Sequence, residues 1–533
     1  MHIDTRDNYI KITAAAIFLF SFLLLFLTTN DIGITCDEAW INDSAAHSFA
    51  QWMSLSLKTI LKGNFSTFRS KETIEKFFGG HFHYHPPFGR IMHSFSLILF
   101  GNLVGDIKAL RISPEMMFSI VCVLVFLITL SLSDYISAIT ASVCLLFMPR
   151  MFGHGHIFAL DMPITFMWLL TIFFFIKSDE KRIYKVLFVV FLGLSFATKA
   201  HSLLIPLSIL LWIIIFPSKK KFQLLTIGTL LGVIIFYIAN PWLWVNLNSH
   251  IEEFISGMSS HTSDFVVKTY YLGRKYDSNA VPWHYPFVLS FFTIPAPILL
   301  FTIVGIISAL KILINRLKNL FKTKSFTATE KLNIFIFINA FILFPVISLG
   351  FAPAYDGTRL FLPAFPFLAI LSGTGFYKFI NLIFTEGRKL GKWILASLII
   401  ASSAISLFDA HPFELSYYNI FSGGIKGAQR IGLETTYWGD AFNNDVISFM
   451  NERLRGKRIN GRALFNSILF DYYHQYGILS NDIVYDALNY DYLLINRREG
   501  LLNDEDFFYI EEIKPLFSNK YKGTALFSIY KNK

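Results

Sequence analysis

Long apolar stretches alternate with short charged loops along most of the chain. The first stretch, 10–28, is long enough to cross a bilayer, and no small-residue cleavage site follows it, so we expect an anchor and not a removed signal peptide. Ten further apolar stretches predict about eleven transmembrane helices in all. They lie at 112–131, 135–149, 162–176, 186–200, 201–216, 223–240, 286–310, 332–351, 359–377 and 393–408.

Basic residues in the short loops set the predicted orientation. Lys and Arg concentrate near 177–185, 219–221, 311–324 and 378–392, and such loops usually face the cytoplasm. All four lie on that side only if the N-terminus is cytoplasmic and the apolar stretch 88–103 does not span. We therefore predict that 88–103 is a juxtamembrane helix at the interface.

The same orientation places the remaining polar segments together on the external face. The longest loop, 31–111, is predicted to hold juxtamembrane helices. After residue 408 the chain becomes polar and contains short strand-like runs such as 492–496. We predict a transmembrane domain, 1–408, and a small extracytoplasmic α/β domain, 409–533.

Composition agrees with a polytopic α-helical membrane protein. Only 16% of the 533 residues are charged and 54% are hydrophobic, whereas soluble domains average about 25% charged residues. The net charge of +10 resides mainly in the predicted cytoplasmic loops, which indicates topology and not nucleic-acid binding. Abundant Lys, Ile, Asn and Phe are typical of an AT-rich bacterial genome, so we expect a bacterial inner membrane.

An acidic pair, Asp37-Glu38, follows the end of the first span. A carboxylate at the boundary of water and lipid can act as a general base towards a hydroxyl or an amine, but a solvated loop would hold the same pair without any chemistry. Asp161 directly precedes another span. It either caps that helix or shares a site with Asp37, and the two interpretations are compatible.

Basic residues at the outer ends of spans are candidates for binding an anion. Lys199 interrupts an apolar stretch, where a lysine either extends to the surface or contacts an anion. Arg359 has only Asp356 as a nearby acid. It either forms a local ion pair with Asp356 or binds a phosphate, which suits the planar guanidinium.

Three histidines, His81, His83 and His85, alternate before Pro86-Pro87. Alternate side chains of an extended segment share a face and could bind a metal ion. No carboxylate or cysteine partner is spaced nearby, so a structural or phosphate-contacting role is favoured. The sequence requires no cofactor, and a divalent metal stays a candidate.

The order of these motifs resembles the GT-C class of membrane glycosyltransferases. The nearest groups are glycosyltransferase family 39, whose members are protein O-mannosyltransferase-like, and the related lipid A aminoarabinose transferases. The motifs follow one another over residues 10–440. They are Asp37-Glu38, His85-Pro86-Pro87-Phe88-Gly89-Arg90, Arg111, Leu160-Asp161-Met162-Pro163, Ala197-Thr198-Lys199, Arg359-Leu360-Phe361-Leu362-Pro363 and the stretch 411–440.

The resemblance implies a GT-C-like transmembrane fold and a reaction at the external face. A sugar would move with inversion from a polyprenyl-phosphate donor in the membrane lipid to a protein, lipid or glycan acceptor. Asp37 would be the base, Glu38 its support, and Asp161 a further support of the site. Basic residues would bind the donor phosphate or its acidic partners. They are His85, Arg90, Arg111, Lys199 and Arg359.

Two other functions suit a polytopic chain, namely a lipid or sugar transporter without transferase activity and an inactive scaffold. A transporter often has ionisable residues near the bilayer midplane and repeated halves, whereas this chain has them at one surface and shows no repeat. Asp37, Asp161 and Arg359 argue against an inactive scaffold. The run Ala39-Trp40-Ile41-Asn42-Asp43 departs from the Arg or Tyr that is common in the family, which leaves sugar and acceptor open.

Overall fold

The computed structural model describes residues 2–80, 85–264, 266–318, 326–384, 388–463 and 467–532. Helices occupy most of the chain up to residue 410, and a five-stranded sheet with flanking helices follows. The predicted fold class, a helical membrane protein with a small C-terminal α/β region, is confirmed.

The first part of the chain consists of helices joined by short connections. They are α1 (His2–Thr28), α2 (Asp43–Leu61), α3 (Lys71–Phe78), α4 (Phe88–Val104), α5 (Asp106–Leu132), α6 (Tyr135–Leu146) and α7 (Pro149–His156). A π-helical turn, Glu38–Asn42, leads into α2. The chain bends by 62° between α6 and α7, where Pro149 begins a new helix because proline is well tolerated in a first turn.

The described residues of the middle part form eleven α-helices and one β-hairpin. They are α8 (Asp161–Lys177), α9 (Arg182–Phe196), α10 (Leu204–Ile215), α11 (Lys219–Ile238), α12 (Leu247–Asp264), β1 (Lys268–Tyr271), β2 (Arg274–Asp277), α13 (Tyr285–Thr293), α14 (Ala296–Lys318), α15 (Ala328–Phe341), α16 (Leu343–Ser348), α17 (Ala364–Ile383) and α18 (Lys389–Ala410). Helices α14 and α17 approach closely because Gly305 lacks a side chain: a Cβ there would lie 2.0 Å from the carbonyl oxygen of Leu371.

Among the described residues, seven helices are long and apolar enough to cross a membrane alone, and the bent α6–α7 pair would add an eighth. The predicted spans 162–176, 186–200 and 201–216 coincide with α8, α9 and α10, which have 17, 15 and 12 residues. The predicted span 286–310 is divided between α13 and α14. The count of eleven spans therefore stays a prediction, as does the interfacial position of 88–103, which is the 17-residue helix α4.

The C-terminal part forms a mixed sheet with helices. Its elements are α19 (Gly424–Arg430), α20 (Asn444–Arg453), β3 (Arg458–Arg462), α21 (Ile468–Gln475), β4 (Val484–Tyr485), β5 (Tyr492–Asn496), α22 (Asp504–Glu512), β6 (Phe517–Tyr521) and β7 (Thr524–Lys531). The strand order is β4-β3-β5-β7-β6. Strand β3 runs parallel to β4 and β5, and β7 runs antiparallel to β5 and β6. The predicted domain boundary at 408–409 falls in the last turn of α18 and stays a prediction.

The C-terminal part packs directly on the segment that follows α1. The N–H of Cys36 donates to the carbonyl oxygen of Trp438 at 2.9 Å, and the N–H of Ile34 donates to the hydroxyl of Tyr473 at 3.0 Å. A Cβ at Gly33 would lie 2.2 Å from the carbonyl oxygen of Asp440, so only glycine permits this approach. The position of the residues that follow Cys36 therefore depends on the C-terminal part.

Candidate active site

Five of the eight predicted acidic and basic residues line one polar cavity. It contains about 740 Å³ of space, including its open mouth. Its walls come from the π-helical turn, the start of α4, the α9–α10 connection, the segment before α17 and the segment after β5. The charged and histidine residues of its lining are Asp37, His85, Arg90, Lys199, Asp356, Arg359 and Arg498.

Asp37 presents a partly exposed carboxylate to this cavity. Its side chain is 31% exposed, and its Oδ2 accepts a hydrogen bond of 2.7 Å from Nη2 of Arg359. Asn42, at the other end of the π-helical turn, donates to the carbonyl oxygen of Asp37 at 2.8 Å and holds the turn closed. Partial burial raises the pKa of Asp37 above its usual value, and Arg359 opposes this rise. A raised pKa makes the carboxylate of Asp37 a stronger proton acceptor, which suits a general base.

Arg359 lies at the centre of three carboxylates. Besides Asp37, its Nη1 donates to Oδ2 of Asp356 at 2.9 Å, and its Nε lies 3.5 Å from Oδ2 of Asp161. The ring of Trp438 covers the guanidinium at 4.0 Å, which adds a cation–π contact. The local pair with Asp356, one of the two alternatives for Arg359, is present, and it does not prevent Arg359 from lining the cavity.

Asp161 lies just beneath the cavity wall. The sequence left open whether Asp161 caps α8. The structure shows that it does not, because Asp161 is the first residue of α8 and the N-cap is Leu160. Instead, Oδ1 of Asp161 accepts a hydrogen bond of 2.7 Å from Nζ of Lys199. A buried carboxylate that contacts both Lys199 and Arg359 keeps these two cations at the cavity, because each would otherwise lose charge compensation.

Glu38 and Arg111 do not line the cavity but pair with each other. Arg111 Nε and Nη2 donate to the two carboxylate oxygens of Glu38 at 3.0 and 3.1 Å. The remaining donors of Arg111 contact the carbonyl oxygens of Thr29, Ile32 and Gly33 at 2.8 to 2.9 Å. Both side chains are buried. This pair joins the π-helical turn to α5, and the donor-phosphate role of Arg111 stays a prediction.

Arg90 and His85 enter the cavity from the start of α4. Arg90 Nε donates to Oδ1 of Asn42 at 3.2 Å, which connects α4 to the π-helical turn. Of the three histidines considered as metal ligands, His81 and His83 lie outside the described residues. Within the described ranges no cluster of three or more His, Cys, Asp or Glu residues could hold a metal ion, so the candidate metal site stays a prediction.

An apolar groove adjoins the polar cavity. It contains about 1060 Å³ of space, and its aliphatic wall includes Leu204, Leu343, Val346 and Ile347. Four residues line both the groove and the cavity. They are His85, Lys199, Tyr355 and Arg359.

Two further residues of the site were not singled out from the sequence. Trp438 belongs to the stretch 411–440, but no role was assigned to it. Arg498 lies directly after β5 and lines the cavity with its side chain. An Arg-Arg-Glu run after an apolar strand is a weak signal for a site, because charged residues commonly follow strands.

Comparisons with known proteins identify the fold of the chain. A family model described as dolichyl-phosphate-mannose-protein mannosyltransferase matches residues 84–244. No curated protein matches the chain by sequence. The crystal structure of ArnT from Cupriavidus metallidurans in the apo state has 12% sequence identity and a TM-score of 0.52, and the similarity covers 99% of this chain and 98% of that chain. The chain has a GT-C fold.

Two other solved structures are similar to this GT-C chain. ArnT from Cupriavidus metallidurans bound to undecaprenyl phosphate gives a TM-score of 0.50 at 12% identity, with 97% of each chain covered. The archaeal oligosaccharyltransferase AglB from Archaeoglobus fulgidus, in complex with an inhibitory peptide and a dolichol-phosphate, is more distant. Its TM-score is 0.44 at 11% identity, with 91% of this chain and 69% of that chain covered. The similarity to ArnT confirms the GT-C fold that the resemblance implied.

Proposed function

We propose that the chain is an integral membrane glycosyltransferase that moves a sugar from a polyprenyl-phosphate donor to an acceptor at the external face. The matching family is named for a dolichyl-phosphate-linked mannose, and one similar structure holds undecaprenyl phosphate. The observation that carries the proposal is the junction between the polar cavity and the apolar groove.

The junction suits a lipid phosphate. A polyprenyl chain needs an apolar path, which the groove between α10 and α16 offers. The phosphate needs cations where that path ends, and Lys199 and Arg359 line both spaces. Because the lipid already holds the donor in the bilayer, the protein needs no nucleotide-binding fold and can position the donor with few groups.

A single displacement accounts for the expected inversion. The acceptor hydroxyl or amine loses its proton to Asp37 while its oxygen or nitrogen bonds to the anomeric carbon. The bond between that carbon and the phosphate oxygen breaks, and the leaving phosphate takes the electron pair. Lys199 and Arg359 stabilise the resulting negative charge. Asp161 supports both cations, and Glu38 supports the segment that carries Asp37.

Donor binding should also strengthen the base. The phosphate of the bound sugar donor adds negative charge beside Arg359. It also competes with Asp37 for the N–H groups of Arg359. Both effects raise the pKa of Asp37 further, so the carboxylate becomes more basic once the donor is in place. The sugar and the acceptor are set by the part of the cavity near Trp40 and Asn42, where the chain departs from the pattern common in the family.

The localisation follows the same proposal. We expect the bacterial inner membrane, with the N-terminus in the cytoplasm and the sheet of the C-terminal part outside it. Lys and Arg in the cytoplasmic loops support this orientation.

Transfer from a labelled donor tests the proposed function. The protein in liposomes should convert polyprenyl-phosphate sugars to free polyprenyl phosphate and glycosylated acceptor, and nucleotide sugars should not replace the donor. A folded protein that consumes none of a panel of polyprenyl-phosphate hexoses and pentoses with extracted envelope acceptors would contradict the enzyme. Passage of the lipid across the bilayer without sugar transfer would favour the transporter instead.

A further inference from the structure

Arg498 reaches the cavity from the C-terminal part. It follows β5, its side chain is 1% exposed, and it lines the same cavity as Asp37. Its backbone forms a tight turn: the N–H of Arg498 donates to the carbonyl oxygen of Asn496 at 2.7 Å, and the N–H of Leu501 donates to that of Arg498 at 3.0 Å. A buried arginine costs much desolvation energy, so its partners matter.

The turn that carries Arg498 is clamped by the preceding segment. The carboxylate of Glu499 accepts hydrogen bonds from the backbone N–H and the hydroxyl of Thr435, at 3.2 and 3.0 Å. The N–H of Gly500 donates to Oε1 of Glu434 at 3.1 Å. A Cβ at Gly500 would lie 2.4 Å from the carbonyl oxygen of Lys268, so the turn has little room to move. The backbone of Arg498 is therefore fixed.

From this fixed position Arg498 is the last member of a chain of ion pairs in which basic and acidic side chains alternate. Its Nη2 lies 2.5 Å from Oδ1 of Asp356. Oδ2 of Asp356 accepts from Arg359, and Arg359 donates to Asp37. One carboxylate thus bridges two guanidiniums. Asp356 has a φ of +53°, an uncommon conformation for a residue other than glycine, and such strain often accompanies a functional position.

These contacts imply that Asp356 and Asp37 compete for the guanidinium of Arg359. Among the described residues, the buried carboxylate of Asp356 forms ion pairs with Arg359 and Arg498, so loss of Arg498 would leave it the pair with Arg359. Arg359 would then turn towards Asp356 and away from Asp37. We propose that Arg498 is a positioning residue for the transfer reaction, which holds Asp356 and through it the Arg359–Asp37 pair. This inference rests on the proposed function.

A comparison of Arg498 and Arg497 variants tests the inference. Arg498→Gln should lower kcat by up to about 100-fold, because a small misplacement of a catalytic group can cost that much, with little change in KM for the donor. The acid limb of its pH profile should move to higher pH, because the uncompensated charge of Asp356 raises the pKa of Asp37. Arg497→Gln is the matched control, since Arg497 belongs to the same turn, pairs with Glu499 at 3.3 Å and lies outside the cavity lining.

The outcomes separate the inference from the function on which it rests. If the wild-type protein has no transfer activity, both the proposed function and the inference about Arg498 are wrong. An active wild type together with folded Arg498→Gln of unchanged kcat and pH profile overturns the inference alone, as does an equal loss in Arg497→Gln. If Arg498→Gln does not fold, Arg498→Lys decides. It retains the charge but not the planar geometry, so it should keep the acid limb and lose several-fold in kcat, and a wild-type kcat overturns the inference.

Discussion

Arg359 and Asp37 are 322 positions apart in the chain, yet Nη2 of Arg359 donates to Oδ2 of Asp37 at 2.7 Å. The contact joins the segment that follows the first predicted span to the segment before α17, and it places the proposed base beside the proposed phosphate ligand. Because Asp161 and Asp356 contact the same guanidinium, Arg359 cannot leave its place without exposing three carboxylates to each other.

Asp37→Asn should abolish transfer while the protein still folds. The amide keeps the size of the side chain but cannot take the proton from the hydroxyl or amine of the acceptor. Loss of a general base commonly costs about 10²- to 10⁴-fold in rate. Turnover at saturating donor measures the effect. Asp43→Asn is the control, because Asp43 accepts from Tyr476 at 2.8 Å and does not line the cavity. Asp37→Asn with turnover close to that of wild type would exclude Asp37 as the base.

Activity should rise with pH as Asp37 loses its proton. Partial burial raises the pKa of Asp37, so the acid limb of kcat/KM should lie above that of an ordinary aspartate. Arg359→Gln removes the cation that lowers this pKa and should move the limb to still higher pH. Arg316→Gln is the control, since Arg316 contacts the carbonyl oxygen of Ile215 at the far end of α14. An acid limb unmoved in Arg359→Gln would mean that another group titrates.

The apolar groove can be tested by filling it. Val346→Trp adds bulk to its wall and should raise KM for a long-chain donor by at least about 10-fold, if blocking a few methylene contacts costs about 1 to 3 kcal/mol. Ile120→Trp is the matched control, because Ile120 is also partly buried but lines a separate apolar cavity between α4 and α5. The opposite result, a raised KM in Ile120→Trp alone, would place the polyprenyl chain in that second cavity.

The sequence predicted the fold class and most of the charged groups of the site, because both depend on local patterns. Apolar stretches indicate membrane helices whatever their partners are. Asp37, Asp161, Lys199 and Arg359 stand out because ionisable residues that border or interrupt apolar stretches are candidates for function. The helix count was harder to predict, since an apolar stretch such as 201–216 can form a helix too short to cross a bilayer alone.

What the sequence could not supply is which charges pair. Glu38 and Arg111 fit the family motif as well as Asp37 does, but the π-helical turn directs Asp37 to the cavity and Glu38 to Arg111. Arg498 becomes part of the site only because the C-terminal part packs on the segment that contains Cys36. Such long-range packing has no periodic signal in the chain.

The free energy of unfolding should fall as the pH rises, because Glu434 is buried and its ionisation is costly in the folded state. Burial raises its pKa from 4.5 to about 8, so the folded state favours the neutral acid. Its stabilising contribution is complete below about pH 4.5 and is lost as the pH rises through about 8. Glu434→Gln stays neutral and keeps an oxygen that accepts from the N–H of Gly500.

The variant should therefore unfold at a higher temperature than wild type above pH 8, by an amount worth about 1 kcal/mol or more, since one unit of pKa shift corresponds to about 1.4 kcal/mol. At pH 5 the two should differ little. Thermal unfolding in detergent across pH 5 to 9 measures this, with Glu505→Gln as the control because Glu505 is 58% exposed. Parallel curves for wild type and Glu434→Gln would show that Glu434 is ionised in the folded protein, so that the positive charge of Arg498 outweighs the effect of burial.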